Sequence, residues 1–303
     1  MNLQNVVNDI SASLVGGNPN YALQLCNQLL HQNIQIPEIY WLKGHALTLT
    51  GEGLNGCSTY KEAMQRGLQN NLYEYFDGTH RLTLKDTPGS CILIDIMEEM
   101  YRDDYGIGKL DLPEGATILD VGAHVGLFSA VAARHFPTAT IHAFEPVADT
   151  QTSLLSNLER NNIHQVHLHP YAVGDHNGEI DFYVQRHDSA VSTAFVNSSD
   201  INYDKFGFQK ISVPMRTLDS IFDELDIKNC DLLKLDCEGA EFEILSQSKC
   251  LQNVKQIIME VHLPSSSDIN SKHEAEYLLR EKMKHLGDSV PGLTVCSIVK
   301  RAF

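Results

Sequence analysis

The sequence predicts an α/β protein: a mostly parallel sheet with helices on both faces, preceded by a small all-α region. Three observations predict it. From residue 117 onward, runs rich in Val, Ile and Leu alternate with amphipathic stretches of helical spacing, the pattern of buried strands joined by crossover helices. The acids of this half gather at the ends of those runs, where ligands sit in such sheets. Residues 1–70 instead carry small apolar positions at helical spacing and no strand-like run.

The all-α region repeats itself weakly. Gly17, Ala22, Cys26 and Leu29 recur as Gly51, Gly56, Tyr60 and Ala63, each pair 34 positions apart. Small residues at these offsets let two helices pack closely, and the period resembles that of tetratricopeptide helix pairs. The unit at 39–67 fits better than the copy at 3–31. Two units fall short of a self-supporting array, so they are expected to dock on the domain C-terminal to them. They are read either as a stabilising cap or as a platform for a protein partner.

Residues 71–111 read as a connecting segment. "LYEYFDGTHRLTLKD" suggests a short strand pair or loop, and "CILIDIMEEMYRDDYG" an amphipathic helix. "LPEGA" supplies a turn before the third region, 112–303. There the expected order is strand 117–123, helix 127–136, strand 140–146, helix 149–161 and a strand within 165–174. An excursion to about 225 comes next, then strand 231–236, helix 240–248, strand 255–261, helix 272–286 and a last strand at 293–299.

Composition narrows the function. The 303 residues carry a formal charge of −16 and a mean hydropathy of −0.20. That balance argues against nucleic-acid or anionic-membrane partners, because phosphates demand a basic face. No apolar run approaches the ~18 residues that span a bilayer, and the start lacks a signal-peptide pattern. Seven scattered cysteines without a C-x-x-C suggest reduced thiols and a cytoplasmic location.

The most informative stretch is "TILDVGAHVGLFSAVAARHF" at 117–136. A dinucleotide site would read G-x-G-x-x-G and bind pyrophosphate at the helix N-terminus. Here the order is Asp120, Val121, Gly122, Ala123, His124, Val125, Gly126, with His124 in place of the second glycine. An acid at the turn repels a diphosphate and suits a cationic amino group. Glu145, 25 residues on at the end of the next strand, is placed to accept both ribose hydroxyls. Glycine lets backbone approach the ligand. One acid for an ammonium and another for a ribose describe S-adenosylmethionine better than a nicotinamide dinucleotide.

The segments "LDVGAHVGLFSA", "HAFEPVADTQTSLLSNLERN", "HPYAVGDHNGEIDFYV", "VPMRTLDSI", "DLLKLDCEGAEFEIL" and "IIMEVH" occur in that order. Together they resemble the FkbM-type S-adenosylmethionine-dependent methyltransferase family across roughly 112–262. The resemblance implies a Rossmann-like class I methyltransferase fold and O-methylation of a hydroxyl on a sugar or other small molecule. On that pattern Asp120, Gly122, Ala123, His124 and Gly126 form the cofactor turn, Glu145 meets the ribose, and Lys234, Asp236 and Glu238 line the transfer site. The family usually has Asn where His124 stands. Its final antiparallel hairpin is expected to be shortened here.

Methyl transfer from a sulfonium is an in-line displacement, so it needs a positioned oxygen and gains from a base. Asp236 at the strand tip is the first choice as base, with Lys234 orienting it or the acceptor. Glu238 is assigned to substrate or to the cofactor's amino group; alternatively Lys234 and Glu238 pair to fix the turn. Glu260 and His262 close the next strand and are candidates for substrate contact, His262 as an alternative base. "RHDSAVSTAF" at 186–195 reads as a loop beside the pocket, with Ser189 and Ser192 as acceptor contacts. His164, His167 and His169 invite a metal, but no acid or cysteine completes a tetrahedral set, so none is assigned. Two other functions compete: a catalytically inactive domain working as an interaction module through its helices, and a nicotinamide-dependent oxidoreductase, which the missing second glycine opposes.

Overall fold

The computed structural model describes residues 2–185, 188–193, 208–237, 239–263, 281 and 294–301. The chain forms two compact units, Met1–Asp104 and Tyr105–Phe303. The segment expected to connect the two regions is therefore divided between them. Among the described residues no helix is long and apolar enough to cross a membrane.

Four helices open the first unit: α1 (Leu3–Val15), α2 (Pro19–His31), α3 (Pro37–Leu49) and α4 (Gly53–Gln65). Asn2 and Asn18 cap α1 and α2 by accepting from the backbone N–H of Gln4 and Tyr21, and prolines start α2 and α3, where a missing N–H costs nothing. Val6, Ile10 and Leu14 form one face of α1, packed with Ala22, Cys26 and Leu29 of α2 and Ile39, Leu42 and Ala46 of α3. Of the residues paired at the 34-residue period, Ala22, Cys26 and Leu29 of α2 and Gly56, Tyr60 and Ala63 of α4 occupy matching buried positions, while Gly17 and Gly51 are exposed in the turns before those helices. Helices α3 and α4 approach closely: a Cβ on Gly44 would stand 2.6 Å from the Tyr60 ring. An antiparallel hairpin, β1 (Leu72–Phe76) and β2 (Arg81–Lys85), and helix α5 (Ile92–Tyr101) complete this unit.

The second unit alternates as expected through β3 (Thr117–Val121), α6 (Leu127–His135), β4 (Thr140–Phe144), α7 (Ala148–Arg160) and β5 (Val166–His169). The expected strand at 165–174 is two strands. After Pro170 the chain leaves the main sheet, and β6 (Ala172–Gly174) joins a second one. That sheet contains β7 (Gly178–Gln185), β8 (Asp188–Thr193) and β9 (Phe208–Thr217), in the order β6-β9-β7-β8. Helix α8 (Leu218–Glu224), β10 (Leu232–Leu235), α9 (Glu241–Gln247), β11 (Gln256–Leu263) and β12 (Thr294–Arg301) come after it.

The main sheet has the order β12-β11-β10-β3-β4-β5, and every neighbouring pair is parallel. Its last strand therefore differs from the expected antiparallel hairpin: β12 runs parallel to β11, with Gln256 opposite Thr294. The helix expected at 272–286 lies outside the described residues except for position 281. One face of the sheet presents Leu119, Val121, Phe144, Leu233 and Leu235 to Leu218, Ile221 and Phe222 of α8 and Ile244 of α9. The direction of chain progression reverses between β3 and β10, which opens a crevice beyond their C-terminal ends.

Candidate active site

The crevice begins with the turn after β3. The backbone N–H groups of Gly122 and Ala123 both donate to the Phe144 carbonyl, at 3.1 and 3.0 Å, and that of Gly126 donates to Ala123. The His124 N–H donates to Glu145 Oε2 at 3.0 Å. These amides are thus turned inward and are not arrayed for a diphosphate. Gly122 has φ 76°, and a Cβ there would stand 1.7 Å from the Asp236 carbonyl oxygen; one on Gly126, at φ 84°, would stand 2.9 Å from Leu154 Cγ. Beside the expected approach to a ligand, each glycine makes room for the protein's own chain. His124 adopts φ 49°, a left-handed conformation that costs most residues energy. Burial lowers its imidazole pKa to about 4, with Asp236 opposing and Lys234 reinforcing the shift.

Parallel register sets Lys234 of β10 directly opposite Asp120 of β3. Both are sealed, at 3% and 0% side-chain exposure, with Nζ 3.2 Å from Oδ1. Ser129 on α6 donates to the other Asp120 oxygen at 2.6 Å. The same ammonium lies 3.2 Å from Asp236 Oδ2 and donates to the Gly122 carbonyl at 2.8 Å. Burial opposes the charge on Lys234, but Asp120 and Asp236 outweigh it and hold the pKa above the ordinary lysine value. Asp120, expected to face a cationic amino group, is instead occupied within the protein by Lys234 and Ser129. Asp236 is the more open of the two acids, 23% exposed at the mouth of β10.

Glu145 closes the far side at the end of β4. It is buried, 6% exposed, and accepts from the Val147 N–H at 2.9 Å as well as from His124. Desolvation raises its pKa to about 7, against the two N–H groups and Lys234, which lower it. Glu260 on β11 is also buried. The link between it and Asp236 is a residue that sequence reasoning missed. The Tyr105 hydroxyl lies 3.2 Å from Asp236 Oδ2 and 3.2 Å from Glu260 Oε2, and its ring packs edge-on to Phe128. Glu241, the second acid of "CEGAE", was also missed. Its carboxylate accepts from the N–H of Cys237 and Gly239 and so fixes the turn after β10.

The other candidates are placed less fully. Glu238 lies outside the described residues. His262 is in β11 and Ser189 and Ser192 are in β8, but their side chains lie outside the described set. The segment read as a loop is corrected at 188–193: it is a strand paired with β7, Ser192 opposite Val184. The histidine group also differs from the expected trio. His167 and His169 stand beside His142 of β4, whose Nδ1 is 3.0 Å from His169 Nε2, while His164 is exposed before the strand.

A family model for the methyltransferase FkbM domain matches residues 120–289. The chain belongs to the FkbM methyltransferase family. The match starts at Asp120 and spans Glu145, Lys234, Asp236 and Glu260. Among curated relatives, the chain is 28% identical over 227 residues to the AMB antimetabolite synthetase AmbE of Pseudomonas aeruginosa, covering 61% of this chain and 11% of that protein. It is 29% identical to Methyltransferase 1 of Beauveria bassiana, covering 57% of this chain and 75% of that one. It is 24% identical to the 2-O-methyltransferase NoeI of Sinorhizobium fredii, covering 62% and 74%. The matched domain thus carries the Asp120–Lys234–Asp236 cluster.

Proposed function

We propose that the chain transfers a methyl group from S-adenosylmethionine to a hydroxyl oxygen of a small molecule or sugar. The observation that carries the reading is the charge of the crevice. Asp120 and Asp236 flank the ammonium of Lys234, Tyr105 links Asp236 to Glu260, and the amides of Gly122, Ala123, His124 and Gly126 are engaged internally. With Asp120 held by Lys234 and Ser129, the acid left open to a cation is Asp236, and the inward-turned amides do not face a diphosphate, which disfavours a nicotinamide dinucleotide. The residues fit S-adenosylmethionine also at Glu145, whose oxygens retain lone pairs for a diol beyond their two backbone donors.

When bound, the cofactor supplies an electrophilic methyl group on a sulfonium. Asp236 holds the acceptor hydroxyl and takes its proton, worth about 10²–10⁴-fold in rate. Lys234 fixes Asp236 through a 3.2 Å ion pair; its own raised pKa disqualifies it as the base. The turn at 120–126 and Glu145 orient the adenosyl and amino-acid parts. A hydroxyl acceptor is supported by the names of two relatives, the 2-O-methyltransferase NoeI and a 31-O-demethyl-FK506 methyltransferase. The test is transfer of labelled methyl from S-adenosylmethionine into a mixed carbohydrate and metabolite extract. Base-stable label in a polar product supports O-methylation; label on nitrogen or sulfur alone overturns it.

A further inference from the structure

The edge of the main sheet at β4 and β5 carries three imidazoles that methyl transfer does not use. Register sets His142 of β4 directly opposite His167 of β5, and His169, opposite Phe144, lies on the same face. His142 Nδ1 stands 3.0 Å from His169 Nε2, and the His142 and His167 ring centroids are 5.7 Å apart. The His169 ring stacks on buried Phe144, with centroids 4.8 Å apart and planes 20° from parallel, which fixes its orientation. His142 and His169 are partly buried and His167 is exposed, so the group has a packed floor and an open entrance. The histidines of 164–169 have no acid or cysteine to complete a ligand set, but His142 arrives from the neighbouring strand. Three imidazoles and one water make a full tetrahedral set for zinc. Zn–N bonds of about 2.0–2.1 Å place two ligand nitrogens about 3.3–3.4 Å apart, so the facing nitrogens need to open by only a few tenths of an ångström.

We propose that His142, His167 and His169 form a binding site for a borderline divalent metal ion: zinc, or an ion of similar preference such as cobalt. The close pair supplies two nitrogens, His167 turns in about its side-chain torsions as the third ligand, and solvent completes the sphere. Ligation breaks the hydrogen bond between His142 and His169. The ring that donated it moves that proton to its other nitrogen, so both facing lone pairs go to the metal and no net proton is released. Nitrogen donors select such ions over magnesium and calcium, which take oxygen ligands. The site also has a mechanical consequence. β5 is an edge strand of only four residues, and the metal staples it to β4 just before Glu145, whose N–H donates to the His169 carbonyl at 3.2 Å. None of this depends on which cofactor the crevice binds.

The experiment is calorimetric titration of the full, metal-free chain with zinc chloride, repeated with cobalt chloride and read by visible d–d absorption. The expected result is saturable zinc binding that excess magnesium chloride does not displace, and cobalt bands of four-coordinate intensity. His142→Gln and His169→Gln should each weaken zinc binding by more than about 10–100-fold, the loss that follows removal of a group merely supporting a ligand. His164→Gln, exposed before the strand, should leave it unchanged. X-ray absorption at the zinc edge of the loaded wild-type chain reads the ligands without any variant, and a nitrogen shell with imidazole scattering is expected. Absence of saturable zinc binding, undiminished affinity in both variants, an equal loss in His164→Gln, displacement by magnesium, or a shell containing sulfur overturns the site.

Discussion

Lys234 and Asp120 face each other across adjacent parallel strands, Nζ to Oδ1 3.2 Å, both closed to solvent. A pair this deep carries a desolvation cost on both sides, and its good geometry with Ser129 and Asp236 makes it tolerable. Lys234→Met leaves Asp120 buried without its countercharge. Urea unfolding should register a loss of about 3–5 kcal/mol, and adding Asp120→Leu should restore much of it. A single-variant loss below about 1 kcal/mol would show that the pair is not sealed as described.

Gly122→Ala should disrupt the crevice without touching any acid. The added Cβ would overlap the Asp236 carbonyl at 1.7 Å, in a backbone region that disfavours side chains. The expected cost is about 1–3 kcal/mol or more. Asp236 must shift with its carbonyl, so turnover should fall more than stability implies. Thermal melts and methyl transfer measured on the same samples decide this.

Much of the second unit is legible in the sequence because its signals are local. Asp120, Gly122, Glu145, Lys234 and Asp236 lie within a few residues of a strand end, and apolar runs mark those ends. Tyr105 is not legible: it reaches Asp236 across 131 residues and Glu260 across 155, and the turn it precedes carries no motif. Asp120 stands out as a site residue, but its partner becomes visible only when register places Lys234 opposite. The small hydroxyl residues of 188–193 look like loop, but pairing with β7 makes them strand. Alternation in "GEIDFYVQ" is the available sign of that sheet. No local pattern encodes the direction of β12.

Glu145 makes the pH dependence specific. Burial raises its pKa from 4.5 to about 7 in the folded protein. Folding therefore favours the protonated acid; its stabilising contribution is complete below about 4.5 and is lost as pH rises through about 7. Denaturant titrations across that window should show stability falling with pH in the ligand-free protein, and Glu145→Gln should flatten the slope. Binding of a diol favours the ionised form, so S-adenosylhomocysteine affinity should rise over the same window. An unchanged slope in the Gln variant would assign the effect elsewhere.

His124→Asn should be tolerated. At φ 49°, asparagine is less strained than histidine, and the backbone N–H to Glu145 is retained. The expected change is a gain of no more than about 1 kcal/mol in stability, with S-adenosylhomocysteine still bound. Loss of binding would mean that the imidazole itself contacts the ligand.

Which nucleotide the crevice accepts is the deciding question. A thermal-shift titration of the full chain with S-adenosylhomocysteine, run in parallel with NAD, tests it most directly. The acid-rich crevice around Lys234 predicts a saturable rise in melting temperature with S-adenosylhomocysteine and none with NAD. A rise with NAD alone would contradict it.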